Sequence, residues 1–193
     1  MSALPLVTRL RERYGYKGHT SPYPHAATAI GLAIAADEEA GYQLCERFTR
    51  HFGVRREAED SRAVAFDVVF AKDSMLPASG EAPLTCTRRY QPTHTIGHFR
   101  YLECSQLTAT GEPTGDLTPW GEVHFPFMPA LHTADNLQAM PVTRLEHEAP
   151  WIEERYTCDA HGIITVEMQN HMGHYAHRYH VRGSASRDPV AVG

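Results

Sequence analysis

The sequence lacks the features that mark several classes of protein. Over 193 residues its net charge is −5, so nothing in the composition favours a nucleic-acid surface. No window approaches about 18 consecutive apolar residues, so no membrane span is expected. The first residues, "MSALPLVTRLRERYG", also lack the long apolar stretch of a signal peptide. The composition therefore indicates a globular protein that binds neither nucleic acid nor membrane.

Cysteine is scarce, and no two cysteines form a CxxC pair. The four are Cys45, Cys86, Cys104 and Cys158. This scattered spacing predicts reduced, mostly buried thiols in a cytoplasmic protein. A secreted protein with two disulfides is the alternative.

Motifs that carry catalysis are also missing. The sequence contains no serine in a nucleophile elbow, no glycine-rich loop with the P-loop spacing, and no conspicuous pair of carboxylates. We therefore expect neither an enzyme nor a bound cofactor.

The first 40 residues have a helical pattern. In "LPLVTRLRERYG", Pro5 suits a first helical turn and Gly15 suits a C-terminal cap. A second helix is predicted within "HTSPYPHAATAIGLAIAADEEAG", with an apolar face of small residues: Ala26, Ala27, Ile30, Ala33 and Ile34. Two such helices are too small to form a domain alone, so residues 1–40 are predicted to dock on another surface.

From residue 41 the pattern becomes that of β-strands. "RAVAFDVVF" is a compact β-rich run that predicts one shared face for Val64, Phe66, Val68 and Phe70. The proline inside "VHFPF" predicts an edge strand or a bulge. The expected fold is mainly β: an antiparallel β-sandwich over 41–182, preceded by a short two-helix segment and followed by a disordered tail, 183–193. A barrel is the alternative.

A specific resemblance begins at "CDAHGIITVEM". It resembles the end of the β-sandwich peptide-binding domain of the DnaK-type heat-shock chaperones (the heat shock protein 70 family), where a strand carries D-A-N-G-I-L. Asp159, Ala160, Gly162 and Ile163 match, and His161 stands where the family has Asn. The residues agree independently, since Asp-Ala-His-Gly predicts a hairpin turn in which Gly162 takes positive φ.

Further pieces resemble the family in the same order along the chain. "SALPLVTRLRERYG" and "PHAATAIGLAIAAD" resemble the last segments of the family's ATPase domain. "FDVVFAKDSMLP" resembles a strand and loop written L-I-x-K-N-x-x-I-P, and "TIGHFRYLE" resembles L-L-G-x-F-x-L. The resemblance extends over most of residues 2–182 and implies a chaperone-type binding domain of a divergent bacterial-type member.

The sequence departs from the family in four ways. Almost the whole ATPase domain is absent, so we expect no ATP binding or hydrolysis. The leucine-rich linker is replaced by the acidic "ADEEAGYQLCER". The span between "KDSMLP" and "TIGHF" is interpreted as short by a hairpin that forms part of the peptide groove, and the helical lid is missing.

Four histidines stand three residues apart, at 171, 174, 177 and 180. On a strand, with its side-chain period of two, that spacing splits them between opposite faces. An ordinary solvated strand is therefore favoured over a metal site, which needs three or four ligands around one ion. His94 and His98 are interpreted as polar turn and strand residues.

The resemblance also indicates where a peptide groove would lie. Val54 matches an apolar pocket position, and Leu84 and Cys86 lie near a strand that contributes to the pocket, so these three are the predicted peptide-binding residues. The basic doublets in "GVRRE" and "TRRY" are interpreted as solvated strand faces.

The predicted function is therefore that of a binding module for extended apolar polypeptide segments. Its expected partners are unfolded or extended polypeptides, an ATPase-domain protein, and a second copy of the chain as a homodimer. Two alternatives stay open: a β-sandwich interaction scaffold without a peptide groove, and a metal-binding β protein that uses some of the 13 histidines.

Overall fold

The computed structural model describes residues 8–9, 12–13, 15, 22–37, 39, 46–57, 64–145 and 148–181. The chain divides into two compact units, Met1–Leu44 and Cys45–Gly193. The first unit contains helix α1, Ala27–Ala36, in which no residue is buried. This helix was predicted from the sequence. The first predicted helix falls largely outside the described residues, as does the tail 183–193.

The described part of the second unit contains eight antiparallel strands in two sheets. The strands are β1 (His51–Glu57), β2 (Val64–Phe70), β3 (Leu84–Tyr90), β4 (Ile96–Leu107), β5 (Pro113–Pro126), β6 (Ile152–Cys158), β7 (Ile164–Asn170) and β8 (Tyr175–Val181). The first sheet has the order β2-β1-β4-β5 and the second has the order β3-β6-β7-β8. The prediction of a mainly β, antiparallel fold is confirmed.

Both sheets contribute to one hydrophobic core, as in a β-sandwich. The alternation is strictest in β6 and β7, where every second side chain is buried. Aromatic rings join the two sheets: those of Tyr101 on β4 and Tyr156 on β6 lie 6.3 Å apart, edge to face. The other large core side chains include Phe52, Phe70, Phe99, Phe125, Ile152, Ile164, Val166 and Met168.

The turn between β6 and β7 has the predicted hairpin form. Gly162 takes a φ of 71°, in the left-handed region that favours glycine. The side chain of Asp159 accepts hydrogen bonds from the backbone N–H groups of His161 and Ile163. These bonds explain why Asp-Ala-His-Gly, a local signal, predicts the turn correctly.

The predicted face of β2 is wrong. The ring of Phe66 lies over Gly53, 2.5 Å from where a Cβ would stand, and so covers the side of β1 opposite to Val54. The register is irregular between Phe52 and Gly53 of β1, and both Val69 and Phe70 are buried at the end of β2. Because of this one irregularity in the pairing, Phe66 and Phe70 lie on different faces of the sheet, although regular alternation would place them on the same face.

The proline-containing segment behaves as predicted, because β5 is the edge strand of its sheet and ends at Pro126. The span between "KDSMLP" and "TIGHF" contains one strand, β3, and the long hairpin of β4 and β5 follows it. Among the described cysteines, Cys86, Cys104 and Cys158 are free thiols, and the latter two are buried.

Candidate functional site

A groove lies at the end of the sandwich where β3 leads into β4. Its volume is about 810 Å³, and residues of both sheets line it. The groove, as we call it below, has an apolar and aromatic part made of Ile96, Phe99, Phe127, Val142 and Trp151. A cleft of this size that combines an apolar part with several polar groups is typical of a ligand-binding site.

Four charged side chains, here called the ion-pair cluster, lie between the sheets beside this apolar surface. They are Arg56 and Asp67 from the first sheet and Arg88 and Glu154 from the second. Strand alternation places them there: Arg56 follows the buried Val54 with the period of two, and Arg88 lies directly opposite Glu154 in the β3–β6 register.

Two arginines and two carboxylates pair with one another in the cluster. Arg56 donates from Nη1 to Glu154 Oε1 at 3.0 Å and from Nη2 to Asp67 Oδ2 at 2.9 Å. Arg88 donates from Nε and Nη2 to the two oxygens of Asp67, at 3.0 and 3.1 Å. The Arg88 guanidinium also donates to the backbone oxygen of Val68 at 3.1 Å. The cluster therefore links the two sheets through bidentate, charge-assisted hydrogen bonds.

Glu154 is the most buried member of the cluster, with 0% of its surface exposed. Besides Arg56, two phenols donate to it: Tyr90 to Oε1 at 2.5 Å and Tyr156 to Oε2 at 2.5 Å. A carboxylate without access to water needs such donors, because an unpaired buried charge costs several kcal/mol.

The surroundings raise the pKa values of three groups of this site, Tyr90, Arg56 and Arg88. Burial, and then the Glu154 carboxylate, raise the pKa of Tyr90 well above its ordinary value. Burial alone would lower the pKa of Arg56, but Glu154 and the other nearby acidic groups together outweigh it and the pKa is raised. The hydrogen bonds to Asp67 raise the pKa of Arg88. Near neutral pH these arginines stay charged and Tyr90 stays protonated, so none of the three exchanges a proton with a ligand.

Two of the three predicted peptide-binding residues lie together, and the third lies elsewhere. Leu84 and Cys86 line a second, smaller cleft of about 540 Å³ between β2 and β3, which we call the side cleft. Val54 has no exposed surface and packs in the core, lining neither the groove nor the side cleft. Arg88 lines both, so it stands at the junction between them.

The charged residues of the site are not predicted from the sequence. The doublets "GVRRE" and "TRRY" were interpreted as solvated faces, which is wrong for one arginine of each: Arg56 and Arg88 point between the sheets. A signal was present, since consecutive residues of a strand face opposite sides. The alternation of "IEERYTC" also places Glu154 inward, together with Ile152 and Tyr156.

The strand with regularly spaced histidines has the predicted arrangement. On β8 His177 lies on the inner, partly buried face and His180 on the exposed face. His171 and His174 belong to the turn before β8, where His174 takes a φ of 53°. The splitting of the histidines between two faces is confirmed.

Two histidine pairs occur among the described residues. His177 Nε2 lies 3.2 Å from His132 Nδ1, and burial together with His132 lowers the pKa of His177. His98 stacks on His124 with ring centroids 4.3 Å apart and also pairs with Glu122 at 2.8 Å. Within the described part of the chain, no group of three or more His, Cys, Asp and Glu side chains is arranged to hold a metal ion.

Comparison with known proteins gives no further constraint: no protein-family model matches the chain, and no curated protein matches it. None of the described helices has the length and apolar character needed to cross a membrane. The geometry of the groove and of the ion-pair cluster is therefore the basis for a functional assignment.

Proposed function

We propose that this chain is a chaperone-type binding module for extended apolar polypeptide segments, without an ATPase of its own. The observation that carries the proposal is the groove, which combines about 810 Å³ of volume with exposed apolar side chains on its rim. Trp151 and Val142 are 50% and 52% exposed there. Apolar surface exposed within a cleft, rather than scattered, favours a binding role.

The strand edges beside the groove suit an extended ligand. β2 and β3 are the outermost strands of their sheets, and both contribute residues to the groove and to the side cleft. Along the outer sides of these two strands, no further strand is paired in the described structure. Backbone groups on such edges can bond to an added segment, while the pocket selects its side chains.

The fold and the turn sequence support the same proposal. Two antiparallel sheets enclosing one core agree with the β-sandwich that the resemblance to the DnaK-type chaperones implies. The hairpin at Asp159–Ile163 contains the residues that carry that resemblance. The raised pKa values of Arg56 and Tyr90 favour a binding role for these two groups over proton transfer.

The test uses tryptophan fluorescence, because the chain has two tryptophans. Trp120 packs on Phe52 with centroids 5.0 Å apart, so Trp120→Phe leaves Trp151 as the reporter in the groove. We expect a neutral, leucine-rich peptide with blocked ends to change this fluorescence saturably, with a Kd of roughly 10–100 μM, since much contact energy is spent on ordering the peptide.

A matched pair of variants locates the binding. Val142→Asp places a charge on the rim of the groove and is expected to weaken binding roughly tenfold or more. Leu117→Asp makes the same change at a residue that is 50% exposed on β5 and does not line the groove, so binding should persist. Absence of saturable binding to the unaltered protein would instead favour the interaction scaffold, and equal effects of both variants would place the peptide elsewhere.

A further inference from the structure

The groove differs in charge from the chain as a whole. Four arginines line it, against one carboxylate, Asp67. The whole chain has a net charge of −5. A positively charged cleft in an acidic protein concentrates negatively charged ligands near its walls. The four arginines are Arg56, Arg88, Arg89 and Arg100.

Two of these arginines are already neutralised within the protein. Arg56 and Arg88 share Asp67, and Arg56 also binds the buried Glu154. The two carboxylates balance the two guanidinium groups. Any excess charge in the groove must therefore come from Arg89 and Arg100.

Arg89 has only part of one carboxylate. Its Nε lies 3.6 Å from Glu153 Oε2, but Glu153 also lies 3.2 Å from Arg155 and 3.8 Å from the ring of His171. The Arg89 side chain is 59% exposed, and its guanidinium lies 5.8 Å from the ring centre of Trp151. It is thus held beside the apolar part of the groove while keeping donors available to a ligand.

Arg100 forms no ion pair with any described residue. Across the β1–β4 pairing it lies opposite Arg55, a like-charged neighbour that costs stability. Its neighbour on β5, Glu122, bonds to His98 at 2.8 Å. An exposed arginine with a like-charged neighbour is therefore available to an anion from outside the chain.

We propose that the groove selects extended apolar segments that also carry carboxylates, which Arg89 and Arg100 bind separately. This inference rests on the proposed function. Successive side chains of an extended segment point to opposite sides, about 3.3 Å apart along the chain. An apolar residue can therefore fill the groove while the next residue reaches a guanidinium on its rim, where carboxylate and guanidinium form paired hydrogen bonds.

The test compares peptides that share a leucine-rich core and differ in their flanks. Serine, glutamate and lysine flanks are compared with both ends blocked, and the serine peptide is also made with an unblocked C-terminal carboxylate. We expect the glutamate peptide to bind roughly three- to tenfold more tightly than the blocked serine peptide, given the usual strength of exposed ion pairs. The lysine peptide should bind more weakly, and raising NaCl from about 0.05 to about 0.5 M should reduce the differences.

Variants assign the preference to the two arginines. Arg89→Gln and Arg100→Gln should each reduce the ratio of glutamate-peptide to serine-peptide affinity roughly two- to threefold. Arg178→Gln is the matched control, because Arg178 is an exposed strand arginine that pairs with Glu167 and does not line the groove. It should leave the ratio unchanged.

The outcomes separate the two proposals. Equal binding of the serine, glutamate and lysine peptides would overturn the carboxylate preference and leave the peptide-binding function standing. A glutamate-rich peptide without leucines serves as a further comparison. If it binds as tightly as the leucine-containing peptide, binding is simple charge attraction and the selection of apolar segments is overturned. Failure of every peptide to bind would overturn both. A preference shown only by the unblocked C-terminus would identify the chain end, rather than an acidic side chain, as the source.

Discussion

Glu154 shows how one residue can join the two sheets of this protein. It is a fully buried carboxylate that accepts hydrogen bonds from Arg56 of the facing sheet and from two tyrosines. Burying such a pair costs desolvation energy that its attraction only partly offsets. The cluster therefore contributes less to net stability than its contacts suggest, but the loss of one member is costly.

Glu154→Leu should accordingly destabilise the protein by about 3–5 kcal/mol, because the substitution leaves Arg56 charged and partnered only by the half-buried Asp67. The double variant Glu154→Leu with Arg56→Met removes both charges and should recover much of that loss. Urea unfolding followed by circular dichroism measures both values. A double variant as unstable as the single one would mean that the pair itself stabilises the fold.

Single residues also show what the sequence could predict about the site. Strand alternation alone would have placed Glu154 and one arginine of each doublet inward. That Arg56 meets Glu154 could not be predicted, because they are 98 residues apart and on different sheets. Val54 was assigned to a pocket from resemblance, yet it is fully buried, so an aspartate there would be an unpaired buried charge.

At the scale of elements, local sequence signals predict the structure correctly wherever that structure depends on residues that are neighbours in sequence. The β6–β7 hairpin and the two faces of β8 follow from turn residues and from the period of two. The faces of β2 did not follow, because they depend on its irregular pairing with β1. Gly53 is the residue that permits this pairing, and it gives no distinct local signal.

Gly53→Ala should therefore disrupt the β1–β2 pair. An added Cβ would lie 2.5 Å from the backbone oxygen of Asp67 and 2.5 Å from the ring of Phe66, and the backbone contact cannot move aside cheaply. We expect a loss of about 1–3 kcal/mol, the usual cost of overpacking. Gly31→Ala is the control, because nothing described lies within 4 Å of that position and alanine favours its helix. Equal stability of the two variants would show that β1 and β2 can separate without cost.

At the scale of the molecule, the two sheets leave an open seam between β2 and β3. The side cleft lies along one part of it and the groove along the other, and Arg88 stands between them. The strand order that creates the seam pairs β1 with β4 and β3 with β6, which are distant in sequence. Periodicity can predict strands and faces, but it contains no information on such long-range pairing, so the groove could not be located from the sequence.

The buried tyrosine side chains of the core determine the pH above which the folded protein loses stability. Burial is the main reason that the pKa values of Tyr90, Tyr101 and Tyr156 lie well above their ordinary value of 10.0. Burial likewise raises the pKa of Cys158 from 9.0 to about 11. Above these ordinary values the unfolded chain releases protons that the folded protein retains, so rising pH favours unfolding. On the acidic side burial lowers the pKa of His177 from 6.5, so stability also falls as pH decreases through 6.5.

The melting temperature should therefore be highest and nearly constant between about pH 7 and about pH 9, the interval between the ordinary pKa values of histidine and cysteine. Above it the melting temperature should fall steeply, because three buried tyrosines titrate only on unfolding. Tyr156→Phe should make that fall less steep, since phenylalanine has no proton to lose, although the variant also loses a donor to Glu154 and starts from a lower value. Circular dichroism melts give the melting temperature, and near-ultraviolet absorbance of tyrosinate shows whether ionisation coincides with unfolding. Tyrosines that ionise fully while the strand signal is retained would contradict this account, because they would have to be accessible to water in the folded protein.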